Sequence, residues 1–225
     1  MVRYDAVTAM LPPLVFVCYA REDAKHRDAL VLHLAGYQRN GIIRAFVDVE
    51  IRSGAEWDAT IHHALEEASV GVLLVSAAWL GSEFIANREV PRLFHRWHAG
   101  ECSIHWLPLS AVDLGPDALP HVNGQPVPLT ALQCLIDPGR PIESLRGNAR
   151  TAAWSSAATK VKTSAVARGI LGGRGPGTRS SAELAELAGV RPLLTGRPGP
   201  DLVTLVEALL HEGDGSRAND FVSKL

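Results

Sequence analysis

The sequence predicts an α/β protein in which a parallel sheet is covered by helices on both faces. Three observations carry that prediction. Short, wholly apolar runs such as Leu14-Val-Phe-Val-Cys18 and Val70 to Val75 have the signature of strands buried on both faces. The stretches between them place apolar residues three and four apart, as helices packed on a core do. The two patterns alternate along the chain, and right-handed crossovers between parallel strands then put helices on both sides of the sheet. With 225 residues, 47% of them apolar, the chain can bury one domain core and carry a small appendage, so a wholly disordered chain is excluded.

The elements follow in order. After the first strand, Arg21-Glu-Asp23 leads into a helical pattern through Leu30, Leu34 and Tyr37 that Gly41 stops. A second strand, Ile43 to Val47, enters the loop Asp48-Val-Glu-Ile-Arg-Ser-Gly54. A second helix carries Trp57, Ile61, Ala64, Leu65 and Ala68, and Val70 to Val75 is the third strand. The third helix spans roughly Glu83 to His98, with Ile85, Val90, Leu93, Phe94 and Trp97 on one broad arc. Ile104 to Leu109 reads as the fourth strand, Gly115 to Pro128 as a Pro-rich loop, and Leu132 to Ile136 as a short fifth strand. A weaker helix from about Asn148 to Ala167 closes a domain over 11–168.

Beyond it, composition shifts to a glycine-rich linker over 169–180. A short helical extension over 181–225 follows, and Ser180 at its entry resembles a capping box with Glu183. Pro200-Asp201 opens a further helix with Leu202, Leu205, Val206, Leu209 and Leu210 on one side. Helices this short need a surface to pack on, either the main domain or a partner.

Charge and cysteine content narrow the setting. A net charge of −2 and the lack of any Lys/Arg run give no reason to expect nucleic acid or an anionic membrane as partner. Three cysteines, Cys18, Cys102 and Cys134, are no disulfide framework and fit a reducing cytoplasm. The apolar stretch from Ala9 to Ala20 is broken by Pro12 and Pro13 and falls short of the roughly 20 residues a bilayer requires. It reads as a buried strand and not as a signal segment.

These segments carry a family pattern. Phe16-Val-Cys-Tyr-Ala-Arg-Glu-Asp23 resembles the F-[IV]-S-Y-x-x-x-D first-strand motif of Toll/interleukin receptor (TIR) domains. Phe46-Val-Asp-Val-Glu-Ile-Arg-Ser-Gly54, with Trp57 and Ile61, resembles the family's second strand and BB loop. Leu73-Leu-Val-Ser76, Trp79-Leu80 and Phe84 to Leu93 resemble its third strand and helix. Two positions depart from the pattern. Cys18 stands where the family usually has Ser, and Ile85 stands where NAD-cleaving members carry Trp.

The resemblance, of the bacterial NAD-cleaving type, implies a flavodoxin-like, five-stranded sheet in the order 2-1-3-4-5. Its switch point lies between strands one and three, where ligands bind outside the carboxyl ends, at the loops Tyr19 to Asp23 and Ser76 to Ser82. It also implies a catalytic glutamate at Glu89, NAD+ as substrate with no cofactor, activation by TIR–TIR self-association, and a role as an immune, antiphage effector.

The residues themselves support Glu89. On a helix advancing about 100° per residue, it falls between Ile85 and Leu93 on the inward arc. A carboxylate there is costly without a partner or a task. Nicotinamide leaves a cationic ring as a neutral molecule, so no general acid is required. One carboxylate suffices to stabilise the oxocarbenium-like ribose. The plain alternative is a structural ion pair with Arg92, Arg96 or Arg21. The substrate-binding set is Tyr19, Ala20, Arg21, Asp48, Ile51, Trp57, Ser76, Trp79 and Ile85. Arg21 would meet the pyrophosphate, or be an ordinary solvated arginine. Tyr19 stacks at the mouth or caps the core, and Asp48 orients ribose or caps a turn. Trp57 is more readily core than ligand. Trp79 offers a stacking surface or an assembly contact.

His95, His98, Cys102 and His105 show metal-like spacing but span a helix end and a strand, so no metal is expected. His62-His63 cannot share a helix face and read as solvated. The glycine-rich run lacks the P-loop pattern, and no G-x-S-x-G elbow occurs. A phosphorylated receiver domain needs an acceptor Asp after strand three, where Ser76-Ala77 stands. Two alternatives to NAD cleavage remain: a non-catalytic TIR scaffold, favoured by Ile85, and an N-glycosidic enzyme acting on nucleosides. A partner protein or activating ligand would dock on the C-terminal extension.

Overall fold

The computed structural model describes residues 11–47 and 55–172. Five strands form a parallel sheet in the order β2-β1-β3-β4-β7: β1 (Leu14–Cys18), β2 (Arg44–Phe46), β3 (Ala68–Val75), β4 (Ser103–Pro108) and β7 (Gln133–Cys134). The expected fifth strand is β7, pairing parallel to β4. The helices are α1 (Ala24–Arg39), α2 (Ala55–Glu67), α3 (Ala77–Gly81), α4 (Val90–His98) and α5 (Gly147–Gly172). This is the flavodoxin-like architecture that the alternating pattern predicts.

Side-chain alternation along the strands divides the core into two layers. Leu14, Phe16, Cys18, Leu73 and Val75 face Ile61, Leu65, Val90, Leu93 and Phe94 of α2 and α4. Val15, Val17, Val70, Val72 and Leu74 face Leu30, Leu34, Trp154 and Val161 of α1 and α5. Each central strand is buried from both sides, which is why its sequence is apolar throughout rather than alternating. Gly71 of β3 lets α4 approach closely: a Cβ there would lie 3.1 Å from Leu93 Cδ2.

Several boundaries move. Ala68, expected at the end of the second helix, begins β3 instead and pairs with Leu14. Ser76 to Ser82, expected as a loop, contains the short helix α3. Its N-cap Ser76 accepts the Trp79 backbone N–H at 3.0 Å. The Pro-rich loop holds a small antiparallel hairpin, β5 (His121–Val122) and β6 (Gln125–Pro126). It turns at Asn123-Gly124, where both φ values are positive, 53° and 76°. That is the Asn-Gly signature of a tight two-residue turn. Helix α5 runs on to Gly172, four positions into the stretch expected as linker, where Gly169 packs against Pro13. The rest of the linker and the extension over 181–225 lie outside the described residues. Among the described residues, no helix is long and apolar enough to cross a membrane.

The helix expected from Glu83 to His98 is interrupted. Residues Ile85–Glu89 form a π turn, with the Val90 N–H reaching back to the Ile85 carbonyl. Pro91 explains the widening. It has no N–H to give the carbonyl of residue 87, and its ring crowds that carbonyl. The chain accommodates by opening one turn to an i→i−5 bond, a geometry concentrated at functional sites.

Candidate active site

The chain leaves β1 toward β2 on one side of the sheet and returns to β3 on the other. The switch point therefore lies between β1 and β3. A cleft of about 320 Å³ opens there. One wall is the segment after β1, Tyr19 to Glu22; the other is Ala78 and Gly81 of α3, Ser82, and Phe84, Ile85 and Glu89 around the π turn. Of the residues expected to bind substrate, Tyr19, Ala20, Arg21 and Ile85 line this cleft together with Glu89. Glu22, Ala78, Gly81, Ser82 and Phe84 were not singled out from sequence. The motif reading named the two loops that hold Glu22, Ala78, Gly81 and Ser82 and the helix that holds Phe84, and only the α3 and π-turn geometry selects the individual side chains.

Glu89 is 6% exposed, yet it lines the cleft. It ends the π turn whose first residue, Ile85, is also buried, so both side chains share the inward side of the same turn. Arg96, one of the cations weighed as a structural partner, is committed elsewhere. It donates to the Leu65 and Ala68 carbonyls at 2.7 and 2.6 Å and to Glu101. Arg21 is exposed on the opposite wall. Tyr19 is half-buried, with the Arg27 guanidinium 4.8 Å from its ring centroid and bonded to its hydroxyl. This holds the phenol at the rim instead of leaving it in free rotation.

Two expectations are corrected. Trp79 is no exposed stacking surface: it is 0% exposed and its indole Nε1–H donates to Cys18 Sγ at 3.3 Å. Helix α3, capped by Ser76, turns the indole under the end of β1. Ser76 likewise does not line the cleft. It is buried, and its hydroxyl donates to Asp23 Oδ2 at 2.5 Å, tying the segment after β1 to the start of α3. Asp48 and Ile51 lie outside the described residues, as does the side chain of Trp57.

None of the thiols is a nucleophile in waiting. Burial pushes Cys18 well above the ordinary thiol range, helped by the charge and hydrogen bond of Glu89 and opposed by the Trp79 indole. Burial also lifts Cys102, to about 11, and Cys134. Thiolates are the reactive form, and burial disfavours it at each of the three. Among the described residues, no three His, Cys, Asp or Glu side chains converge as metal ligands. His95 and His98 are exposed on α4, whereas His105 is buried with its Nε2 2.8 Å from Ser164 Oγ. His62 and His63 are exposed.

Comparison with known proteins gives two matches. Residues 15–124 match the family model described as TIR domain. An uncharacterised protein, y4lF, of Sinorhizobium fredii (strain NBRC 101917 / NGR234) is 31% identical over 101 residues, covering 45% of this chain. The match takes in 31% of that protein, so the chain spans under a third of the curated relative it resembles.

Proposed function

Residues 15–124 form a TIR domain, and from that premise we propose that the chain is an NAD+ glycohydrolase with Glu89 as its catalytic carboxylate. The supporting observation is a buried carboxylate lining an open cleft at the sheet's switch point. In the proposed step the bond between ribose C1′ and the nicotinamide nitrogen breaks. Its electron pair goes to the ring, which departs neutral. Glu89 stabilises the oxocarbenium-like ribose and holds its hydroxyls. Water then adds at C1′ and loses a proton, giving ADP-ribose. Attack by a group of the same molecule gives a cyclic ADP-ribose instead.

Arg21, on the facing wall, suits the pyrophosphate, and Ile85 supplies an apolar wall beside the ribose. A cleft of about 320 Å³ is at the small end of ligand sites. It suits the nicotinamide–ribose end of the dinucleotide, with the remainder extending past Arg21. TIR domains mediate self-association, and assembly is the proposed activating event, in a cytoplasmic setting that the free cysteines suit. A role in bacterial immunity belongs to the same proposal.

The test is nicotinamide release from NAD+ at high substrate concentration, with and without a crowding agent, beside Glu89→Ala. Release that disappears in a folded variant supports the reading; release that persists overturns Glu89's role. A catalytically silent scaffold is the second reading, favoured by Ile85. It predicts self-association without release. The segment after Gly172 is proposed to gate activity or to hold a partner. Equal assembly and turnover in a chain ending there would rule that out.

A further inference from the structure

The two walls of the cleft belong to different parts of the chain, yet buried hydrogen bonds join them at two points. The first wall, Tyr19 to Glu22, runs between Cys18, the last residue of β1, and Asp23, the last residue of a 3₁₀ turn over Arg21–Asp23. Cys18 accepts the Trp79 indole Nε1–H at 3.3 Å, and Asp23 accepts the Ser76 hydroxyl at 2.5 Å. Trp79 lies within α3, and Ser76 is its N-cap. The segment that lines one side of the cleft is therefore pinned at both ends to the helix that lines the other.

Both bonds are placed to hold. Cys18 and Trp79 are 0% exposed, Ser76 6% and Asp23 8%, so water has little access to compete for either bond. Ser76 uses its hydroxyl in both senses: it donates to Asp23 and accepts the Trp79 backbone N–H at 3.0 Å. Turning the hydroxyl hydrogen toward Asp23 leaves the oxygen lone pairs for α3, so the bond that joins the walls also sets the cap. On the first wall the Asp23 N–H closes its turn on the Ala20 carbonyl at 2.8 Å. The second wall continues from α3 through Ser82, whose Oγ accepts the Ile85 N–H at 3.4 Å, into the π turn that ends on Glu89.

We propose that Asp23 is a positioning residue: through Ser76 it fixes the separation of the two walls, so that Arg21 and Glu89 stand at a preset spacing before any ligand arrives. Asp23 itself has no lining position in the cleft, so it acts through the walls. The consequence for turnover rests on the NAD-cleaving reading, in which one dinucleotide spans both walls; the coupling of the walls does not.

Two readouts separate the inference from that reading. The first is amide hydrogen exchange, followed residue by residue by NMR in the full chain, and it needs no substrate. Asp23→Ala removes the acceptor on the first wall and should speed exchange of the Trp79 amide on the second. Ser76→Ala removes the donor on the second wall and should speed exchange of the Asp23 amide on the first. Each effect should be roughly fivefold, the size that a lost buried hydrogen bond or cap brings to a local opening. Asp23→Asn, whose side-chain carbonyl still accepts from the hydroxyl, and Ser76→Thr, which keeps the donor, should return both amides toward the parent rates. Where one Ala variant does not fold, the other decides. Unchanged exchange on the opposite wall of a folded Ala variant overturns the proposal.

The second readout is nicotinamide release. Without the brace, only a fraction of molecules holds the walls at the binding spacing, and a ligand that selects that fraction binds more weakly in proportion. KM should therefore rise roughly fivefold in Asp23→Ala at nearly unchanged kcat, and Asp23→Asn should restore it. Plain loss of folded protein gives the reverse, a lower kcat at unchanged KM. That result, or constants equal to those of the parent, overturns the positioning role. If the parent chain releases no nicotinamide, the functional reading fails, and exchange alone decides whether Asp23 couples the walls.

Discussion

Glu89 and His105 are both buried polar side chains packed against the same sheet, one on each face. Glu89 is 6% exposed and His105 3%. His105 points from β4 into the layer under α5, where Ser164, itself 0% exposed, meets its Nε2 at 2.8 Å. Glu89 sits in the opposite layer and lines a cleft. Burial alone therefore does not separate the two. Access does: one polar group is closed in by a 26-residue helix, and the other is held at the edge of a space that a ligand can enter. A buried polar group invites a chemical reading only when something other than protein can reach it.

The sharpest test of that contrast is Glu89→Gln, which keeps shape and removes charge. If the carboxylate stabilises a developing cation, nicotinamide release should fall about a thousandfold or more, on the order of 4 kcal/mol of transition-state stabilisation. The melting temperature should hold or rise, since a buried charge has been neutralised. Steady-state kinetics beside a thermal melt measure both. A variant that melts far below the parent and loses activity only in proportion would place Glu89 with His105, as structure.

A smaller effect is expected one step back from the chemistry, at Pro91. The π turn opens because Pro91 cannot donate to the carbonyl of residue 87, and Glu89 ends that turn. In Pro91→Ala the missing N–H returns and the segment can close to regular α geometry, rotating Glu89 relative to Ile85. Turnover should fall about tenfold, about 1.4 kcal/mol, while stability holds or increases, because proline inside a helix is unfavourable. Loss of activity without loss of stability is the outcome that marks a positioning role. Unchanged turnover in a helix shown to be regular would break the link between the π turn and the site.

That interruption also shows where sequence reasoning stops. The strands and their buried partners were legible because hydrophobic runs and helical spacing report burial directly: Val15 and Val17, or Leu93 and Phe94, fall where the pattern puts them. Glu89 was legible for the same reason, as a charge on an apolar arc. Trp79 was not. A tryptophan between Ser76 and Ser82 reads as a loop residue until the Ser76 cap makes α3 and turns the indole inward. The bond from the Trp79 indole to Cys18 was also out of reach. It joins residues 61 positions apart, and only the parallel pairing of β1 with β3, with α3 capped just past the end of β3, brings them together. What the sequence reports well is which side of an element is dry. Which buried atoms then meet depends on the packing.

The least effect belongs to the closed side of the comparison. Ser164→Ala removes the partner of the His105 ring nitrogen in a place with little room for water to replace it. The expected cost is about 1–3 kcal/mol of stability, the penalty for a buried polar atom deprived of its bond, read as a lower denaturant midpoint at unchanged slope. Turnover per folded molecule should stay at the parent value. The double substitution His105→Leu with Ser164→Ala should recover part of the loss, because replacing both partners by apolar groups removes the unsatisfied atom as well as the bond. If Ser164→Ala changes kcat while the protein remains folded, the α5 face is coupled to the cleft across the sheet, and the division into a structural side and a chemical side fails.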